Sequence, residues 1–149
     1  MRLLLQRVSR AEVRVDGAVV GAIGSGLVAL IGVGPDDTPE IASEYARRTA
    51  ELRIFADADG RTNLSLVDVG GEVLAVSQFT LYADTSRGRR PSFLRAGPPE
   101  LGRALYESFA CGLEALGVPV ARGVFGAKMA VELVNDGPFT IWLDSEAGG

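Results

Sequence analysis

The side chains best suited to chemistry lie in one short stretch, SQFT at residues 77–80, which ends an apolar run. The chain has no histidine, so it lacks the usual general base at neutral pH and the commonest zinc ligand. The single cysteine, Cys111, falls in a helical pattern without a base nearby in sequence, so we expect a packed thiol rather than a nucleophile. Any catalysis must depend on hydroxyls, carboxamides, carboxylates, main-chain amides or the substrate itself.

A second stretch, NDGPFT at residues 135–140, lies between two short apolar runs that predict strands. Proline cannot donate to a central ladder, so we expect a sharp turn at Gly137 and Pro138. A glycine relieves the crowding before proline, and X-Pro bonds adopt cis at modest cost. A turn tied at both ends would present bare carbonyls to a small ligand; the alternative is an ordinary strand connector.

Residues 72–82 alternate as a strand would, with Gln78 and Thr80 on one face and Phe79 on the other. The first face is apolar and becomes polar part way along. Such a change suits the mouth of a barrel or cleft, with a carboxamide and a hydroxyl at its rim. A strand that simply emerges into solvent would show the same pattern.

Hydrophobic periodicity predicts the elements that must position these residues. Alternating apolar segments and the Asp16-Gly17 hairpin signal predict a meander over residues 2–33. Thr38 and Pro39 begin a predicted helix over residues 39–52. A second helix should run from Pro99 to Gly117, with strands over residues 118–124 and 128–134. The core stripe of this second helix is predicted to be Leu101, Leu105, Phe109, Leu113 and Leu116.

The predicted fold is therefore α+β, with mostly antiparallel sheets curled into a barrel-like core and two flanking helices. Eight to ten short strands are expected. With 149 residues and 47% hydrophobic residues, the chain should form a single domain over residues 1–149. No apolar run is long enough to span a bilayer and no signal peptide is evident, so we expect a cytoplasmic protein without a membrane partner.

The net charge of -4 and the pI near 4.9 disfavour a protein that coats nucleic acid, and no DNA partner is expected. Local contact with phosphate stays open, because Arg87, Arg89 and Arg90 crowd one loop. Asp57 and Asp59 resemble the start of a calcium loop but lack its remaining ligands. We therefore expect no metal and no cofactor.

Taken together, the two motifs resemble the signature pair of the D-aminoacyl-tRNA deacylase family, formerly called D-tyrosyl-tRNA deacylase. The pair is SQFTL at residues 77–81 and NDGPFT at residues 135–140. The likeness extends through LQRVSRAEV near the start, RGRRPSF in the middle and GVFGAKMAVELVNDGP near the end. Only residues 145–149 lie outside it.

The resemblance implies a homodimer that hydrolyses the ester of D-aminoacyl-tRNA, and of mischarged glycyl-tRNA, at the 3' acceptor end. Each subunit would insert Gly137 and a cis Pro138 into the partner's active site, where main-chain carbonyls hold the α-amino group and exclude an L side chain. The resemblance assigns catalysis to Ser77, Gln78, Phe79 and Thr80. It assigns substrate binding to Gly137, Pro138, Phe93, Phe125, Met129 and Arg7, with Arg7 bracing the Gly-Pro loop.

Thr80 could act as a nucleophile, or as a hydrogen-bonding neighbour beside main-chain amides of residues 78–80 that face the oxyanion. The missing histidine favours the second role. The resemblance implies that the terminal 2'-hydroxyl of the tRNA assists. Two other classes stay open. A dimeric β domain could bind an RNA end or a partner without catalysis, and a metal-dependent hydrolase would have to manage without histidine ligands.

Overall fold

The computed structural model describes residues 1–148, which form two α-helices and eight strands. The helices are α1 (Pro39–Glu51) and α2 (Pro99–Ala115). The strands, in chain order, are β1 (Arg2–Val15), β2 (Ala18–Ile23), β3 (Gly26–Gly32), β4 (Phe55–Ala56), β5 (Thr62–Leu64), β6 (Glu72–Ser77), β7 (Val120–Arg122) and β8 (Ala130–Asp144).

Strand β1 is the centre of a six-stranded sheet and pairs antiparallel with β2, β3 and β8. Strand β6 pairs parallel with both β3 and β7. The sheet curls until its two ends, β2 and β7, approach each other. The approach is so close that a methyl group at Gly21 in β2 would lie 2.7 Å from the carbonyl oxygen of Arg122 in β7. The α+β class with a barrel-like core and two flanking helices is confirmed, and the parallel pairs make the sheet mixed.

Alternation along the strands divides the core in two. On β3, Leu27, Ala29 and Ile31 pack on the side covered by the helices, with Tyr45 of α1 and Phe109 of α2. The intervening Val28 and Leu30 face the inside of the curled sheet with residues of β1 and β6. A strand buried on both faces reads as a continuous apolar run, which is why residues 27–33 predicted β3 correctly.

Both helices were predicted to within about two residues, and their ends follow from local chemistry. Thr38 accepts a hydrogen bond from the Ile41 amide at the start of α1. Gly117, at φ +83°, follows the C-terminal end of α2. Two predictions for α2 were wrong: Leu116 is 42% exposed because it lies past the last turn, and Cys111 is exposed on the outer face rather than packed.

The strand predicted over residues 72–82 is wrong beyond Ser77. The chain bends at Gln78 (φ -143°, ψ 75°), and Phe79–Tyr82 forms a 3-10 turn. Hydrogen bonds from the Leu81 amide to the Gln78 carbonyl and from the Ala83 amide to the Thr80 carbonyl close this turn. The bend buries Tyr82, which a strand pattern would have placed on the polar face.

The turn predicted at Gly137 and Pro138 is a bulge inside β8 rather than a reversal of the chain. Gln6 of β1 pairs with Thr140 of β8, and Val8 pairs with Asn135. Residues 136–139 of β8 therefore lie opposite a single residue of β1 and leave the ladder. The Gly137-Pro138 peptide is cis. Proline thus occupies a long strand where the strand is not hydrogen-bonded to its neighbour.

Among residues 1–148, no helix is both long enough and apolar enough to cross a membrane.

Candidate active site

A cavity of about 650 Å³ opens beyond the carboxyl ends of the parallel strands β3 and β6. Its back wall is formed by Ile31 and Val33, and its rim begins at Ser77. Ligands in sheets with parallel strands commonly bind at this edge, because the chain leaves the sheet there and loops can diverge around a space. The location makes the cavity the candidate active site.

Two main-chain carbonyls, one at the end of β3 and one just after it, accept hydrogen bonds that fix two segments of the cavity lining. The Gln78 amide donates to the Ile31 carbonyl at 2.7 Å, and the Gly97 amide donates to the Val33 carbonyl at 2.8 Å. Gly97 has to be glycine, since a methyl group there would lie 2.8 Å from the carbonyl oxygen of Gly34. The cavity is therefore built on main-chain contacts rather than on mobile side chains.

Aromatic rings form the entrance. Phe79 and Phe93 meet edge to face, with ring centroids 5.1 Å apart, although they are 56% and 37% exposed. An edge-to-face pair stabilises a protein by about 0.5–1.5 kcal/mol beyond the stabilisation that comes from its buried area. Exposure of two apolar rings packed together at a cavity mouth indicates a surface that another molecule covers.

The 3-10 turn presents unused hydrogen-bond donors beside this entrance. Within residues 1–148, the amides of Phe79 and Thr80 donate to no other residue. The Gln78 amide was expected to join them but is already bound to Ile31. The Gln78 carboxamide donates to the Thr80 hydroxyl oxygen, so the two side chains lie together although they do not share a strand. Two free amides on one turn can stabilise a developing negative charge.

The far wall is formed by Phe125 and Met129, supported from beneath by α2. A methyl group at Gly102 would lie 3.3 Å from the Phe125 ring, and the Tyr106 ring lies 6.1 Å from it, centroid to centroid. The Tyr106 hydroxyl donates to the Ala75 carbonyl of β6 at 2.8 Å. Burial raises the pKa of Tyr106 to about 12, so this donor stays protonated at neutral pH.

Arg7, Gly137 and Pro138 form a second cluster, outside the lining of this cavity. The Arg7 Nε donates to the Asp136 carbonyl at 3.0 Å, and a second guanidinium nitrogen donates to the Ile54 carbonyl. The Asn135 side chain accepts from the Phe139 amide at 3.0 Å and closes the bulge. Gly137 and Pro138 themselves are exposed.

The structure thus separates the predicted site residues into two groups within one chain. The cavity brings together Ser77, Gln78, Phe79, Phe93, Phe125 and Met129, with Thr80 attached through Gln78. The segment from Gly97 to Gly102, which forms a wall, was not predicted to line a site. The run of Gly97, Pro98 and Pro99 offered a signal, because it forces a fixed path on the chain.

The lining of the cavity contains no ionisable side chain among the described residues. Within residues 1–148, no group of three or more histidine, cysteine, aspartate or glutamate side chains is placed to hold a metal ion. The chemistry that this lining can supply is positioning of a reactant, exclusion of bulk water and hydrogen bonding from main-chain amides.

The fold and the cavity define a class: a small α+β protein with a cleft that has no ionisable side chain in its lining among the described residues. A family model described as D-Tyr-tRNA(Tyr) deacylase matches residues 4–144, and the chain belongs to this family. The family resemblance drawn from residues 77–81 and 135–140 is therefore confirmed. The prediction of a deacylase is confirmed at the level of the family.

Two relatives are similar in sequence to this chain over almost its whole length. A D-aminoacyl-tRNA deacylase of Roseiflexus castenholzii is 61% identical over 145 residues, which cover 97% of this chain and 92% of the relative. One of Deinococcus radiodurans is 56% identical over 144 residues, which cover 97% and 99% of the two chains.

Two solved structures share the fold. One, described as a c-Myc DNA Unwinding Element Binding Protein, is 39% identical with a TM-score of 0.91, and the match covers 97% of this chain and 98% of that one. The other, described as a probable eukaryotic D-amino acid tRNA deacylase, has a TM-score of 0.85 over 95% and 97% of the chains. At 21% identity, the second likeness concerns the fold alone.

Proposed function

We propose that this protein hydrolyses the ester bond of D-aminoacyl-tRNA, releasing the free D-amino acid and the tRNA. The observation that carries the proposal is the pair of unused amides, Phe79 and Thr80, beside a cavity without ionisable side chains. An aminoacyl ester is already activated. Its hydrolysis needs a positioned water and stabilisation of the oxyanion more than a strong nucleophile.

In the proposed reaction, water adds to the ester carbonyl and the negative charge that develops on oxygen is held by the two amides. The attacking water gives one proton to the neighbouring 2'-hydroxyl of the tRNA, which passes its own proton to the 3' oxygen as the carbon–oxygen bond to the ribose breaks. Thr80 is a hydrogen-bonding neighbour, because its hydroxyl oxygen accepts from Gln78 and no other side chain of residues 1–148 is hydrogen-bonded to it as a base would be. Ser77 stands at the rim and contributes a hydroxyl to the same surface.

Selectivity for the D enantiomer is assigned to Gly137 and Pro138 of a partner subunit. In a single chain this bulge is exposed and forms no part of the cavity lining. Inserted into the partner's cavity, its main-chain carbonyls would hold the α-amino group and leave no space for an L side chain. D-amino acids and glycine would both be accepted, since a rigid main-chain wall rejects by steric clash.

A homodimer fits the remaining surface. Strand β8 pairs only with β1 among the described strands, so its outer edge is open over a long element. Val131 and Val134 on this strand are 37% and 41% exposed, and Val131 also lines the cavity. Open edges with apolar side chains favour association. Because the proposed substrate is tRNA, the cytoplasm is the proposed location.

The test is to incubate the purified protein with D-aminoacyl-, L-aminoacyl- and glycyl-tRNA and to measure the free amino acid. Release from the D and glycyl esters but not from the L ester supports the proposal. Equal affinity for all three tRNAs without any release would instead identify a binding module. Loss of activity on treatment with a chelator, restored by a metal ion, would favour a metal-dependent hydrolase.

A further inference from the structure

The unpaired cations of this acidic chain are unevenly distributed. Seven of the 15 lysine and arginine side chains form salt bridges with carboxylates, and eight have no carboxylate within 4.0 Å among residues 1–148. Five of these eight lie on segments that form or border the walls of the cavity. They are Arg87, Arg89, Arg90, Arg103 and Lys128.

Three of the five lie on a loop that is anchored beside the cavity entrance. Asp84 and Ser92 close the base of the loop with two main-chain hydrogen bonds, of 2.8 and 2.9 Å. The next residue, Phe93, lines the cavity and meets the Phe79 ring. All three arginines are exposed, so their guanidinium groups are hydrated and free to meet an anion.

The other two cations lie beside the far wall, which Phe125 and Met129 form. The Arg103 guanidinium lies 4.8 Å from the centre of the Phe125 ring, which lines the cavity. This stacking holds the side chain at the edge of the cavity. The N–H groups at the edge of the guanidinium plane stay available as hydrogen-bond donors. Lys128 is exposed between two cavity-lining residues, Ala127 and Met129.

We propose that these five side chains, here called the basic rim, bind the phosphodiester backbone of the tRNA acceptor end while its terminal nucleoside occupies the cavity. The inference rests on the proposed function and adds which surface holds the nucleic acid. An ester of a single nucleoside carries no phosphodiester, whereas the tRNA carries several next to the reacting group. The basic rim therefore contributes to binding of tRNA and not to the chemical step.

A single strand is the fitting occupant, because the five cations lie on three separate segments that adjoin the cavity lining instead of along one element. Stacking of a base on exposed rings such as Phe79 and Phe93, together with arginines along the backbone, is the usual way proteins hold single-stranded RNA. An overall charge of -4 opposes binding elsewhere on the surface, so the basic rim confines the contact to the cavity mouth.

The test compares three variants with the wild type: the triple variant Arg87→Gln, Arg89→Gln and Arg90→Gln; Arg103→Gln; and Lys128→Gln. Each is assayed on D-aminoacyl-tRNA and on the D-aminoacyl ester of adenosine, across a range of salt concentrations. Affinity for uncharged tRNA is measured by fluorescence anisotropy. The matched control is Arg61→Gln, an exposed arginine without a carboxylate partner that lies on the β4–β5 hairpin, outside the cavity lining.

We expect KM for the tRNA to rise and kcat to stay unchanged, with the slope of log affinity against log salt falling by about one for each cation removed. For the triple variant, KM should rise at least about fivefold at moderate salt. Arg103→Lys should restore part of the affinity. The adenosine ester should be hydrolysed by every variant as by the wild type.

The proposal is overturned if the variants match Arg61→Gln in tRNA affinity and salt slope, or if they lose activity equally on the adenosine ester. It is also overturned if duplex DNA competes as well as tRNA, because the surface would then be a general nucleic-acid contact. Failure of the proposed function is distinguishable, since the wild type would release no amino acid from either ester while the anisotropy measurement still reports on the basic rim.

Discussion

Arg7 donates from Nε to the main-chain carbonyl of Asp136 at 3.0 Å, one residue before the cis peptide. The same guanidinium lies 4.8 Å from the centre of the Phe139 ring, just after that peptide. One side chain of β1 therefore contacts the exposed bulge of β8 both before and after the Gly137-Pro138 peptide. If the bulge acts in a partner's cavity, Arg7 determines how firmly it is presented.

Replacing Arg7 by lysine should loosen the bulge, because an ammonium group cannot stack on Phe139 and also donate to two carbonyls in a fixed fork. The side chain is only 15% exposed, and the lost contacts should lower the free energy of unfolding by about 1–2 kcal/mol. The ratio of kcat/KM for D- and L-aminoacyl-tRNA should fall. Arg10→Lys, which alters a 60% exposed pair with Glu132, is the control. An unchanged ratio in the Arg7 variant would mean that the contact serves stability alone.

Gly137→Ala should be more damaging. The added methyl group would lie 2.9 Å from an Arg7 nitrogen, and φ at this position is +130°, which side chains rarely adopt. We expect a loss of about 1–3 kcal/mol in unfolding free energy together with loss of D selectivity. Gly17→Ala supplies the control, since φ there is +80° with open space around it. Backbone strain in Gly17→Ala should lower stability without affecting D selectivity. Equal effects of Gly17→Ala and Gly137→Ala on selectivity would argue against a role for the bulge.

Thr80→Ala should keep substantial single-turnover activity, because the Phe79 and Thr80 amides survive the change. The loss should be on the order of tenfold or less, since only a hydrogen bond of about 1 kcal/mol with Gln78 is removed. Rapid quenching followed by mass spectrometry of the wild type checks for a covalent acyl group. Near-total inactivation of the variant, with an acyl group trapped on wild-type Thr80, would establish the nucleophile instead.

Tyr106→Phe tests the support beneath the cavity through its pH dependence. Burial raises the pKa of Tyr106 to about 12, above the value of about 10 in an unfolded chain. Its contribution to stability is therefore complete below pH 10 and is lost between about pH 10 and 12. At pH 8 the variant should be less stable by about 0.5–1 kcal/mol, because the Ala75 carbonyl keeps its bond from the Gly123 amide. Urea unfolding from pH 8 to 11 should show that the difference in unfolding free energy between the wild type and the variant becomes smaller. A difference that stays constant over this range would contradict the prediction.

Periodicity was a sufficient guide wherever one physical preference acted alone. Thr38 and Pro39 marked the start of α1, and the apolar run of β3 indicated burial on both faces. It failed at Tyr82, because alternation could not report that the aromatic ring would leave the strand and pack beneath Arg2, whose guanidinium lies 4.3 Å from the ring centre. It failed at Cys111 because apolar residue type alone does not show which side of a helix meets a neighbour.

The local chemistry of this protein was determined by its sequence: no histidine, a hydroxyl and carboxamide stretch ending one apolar run, and a glycine–proline pair interrupting another. Only the tertiary structure decided how these parts are arranged. It committed the Gln78 amide to Ile31, left the Phe79 and Thr80 amides free, and placed Gly137 outside the cavity of its own chain. These outcomes depend on contacts between residues far apart in the chain, and no local preference encodes them.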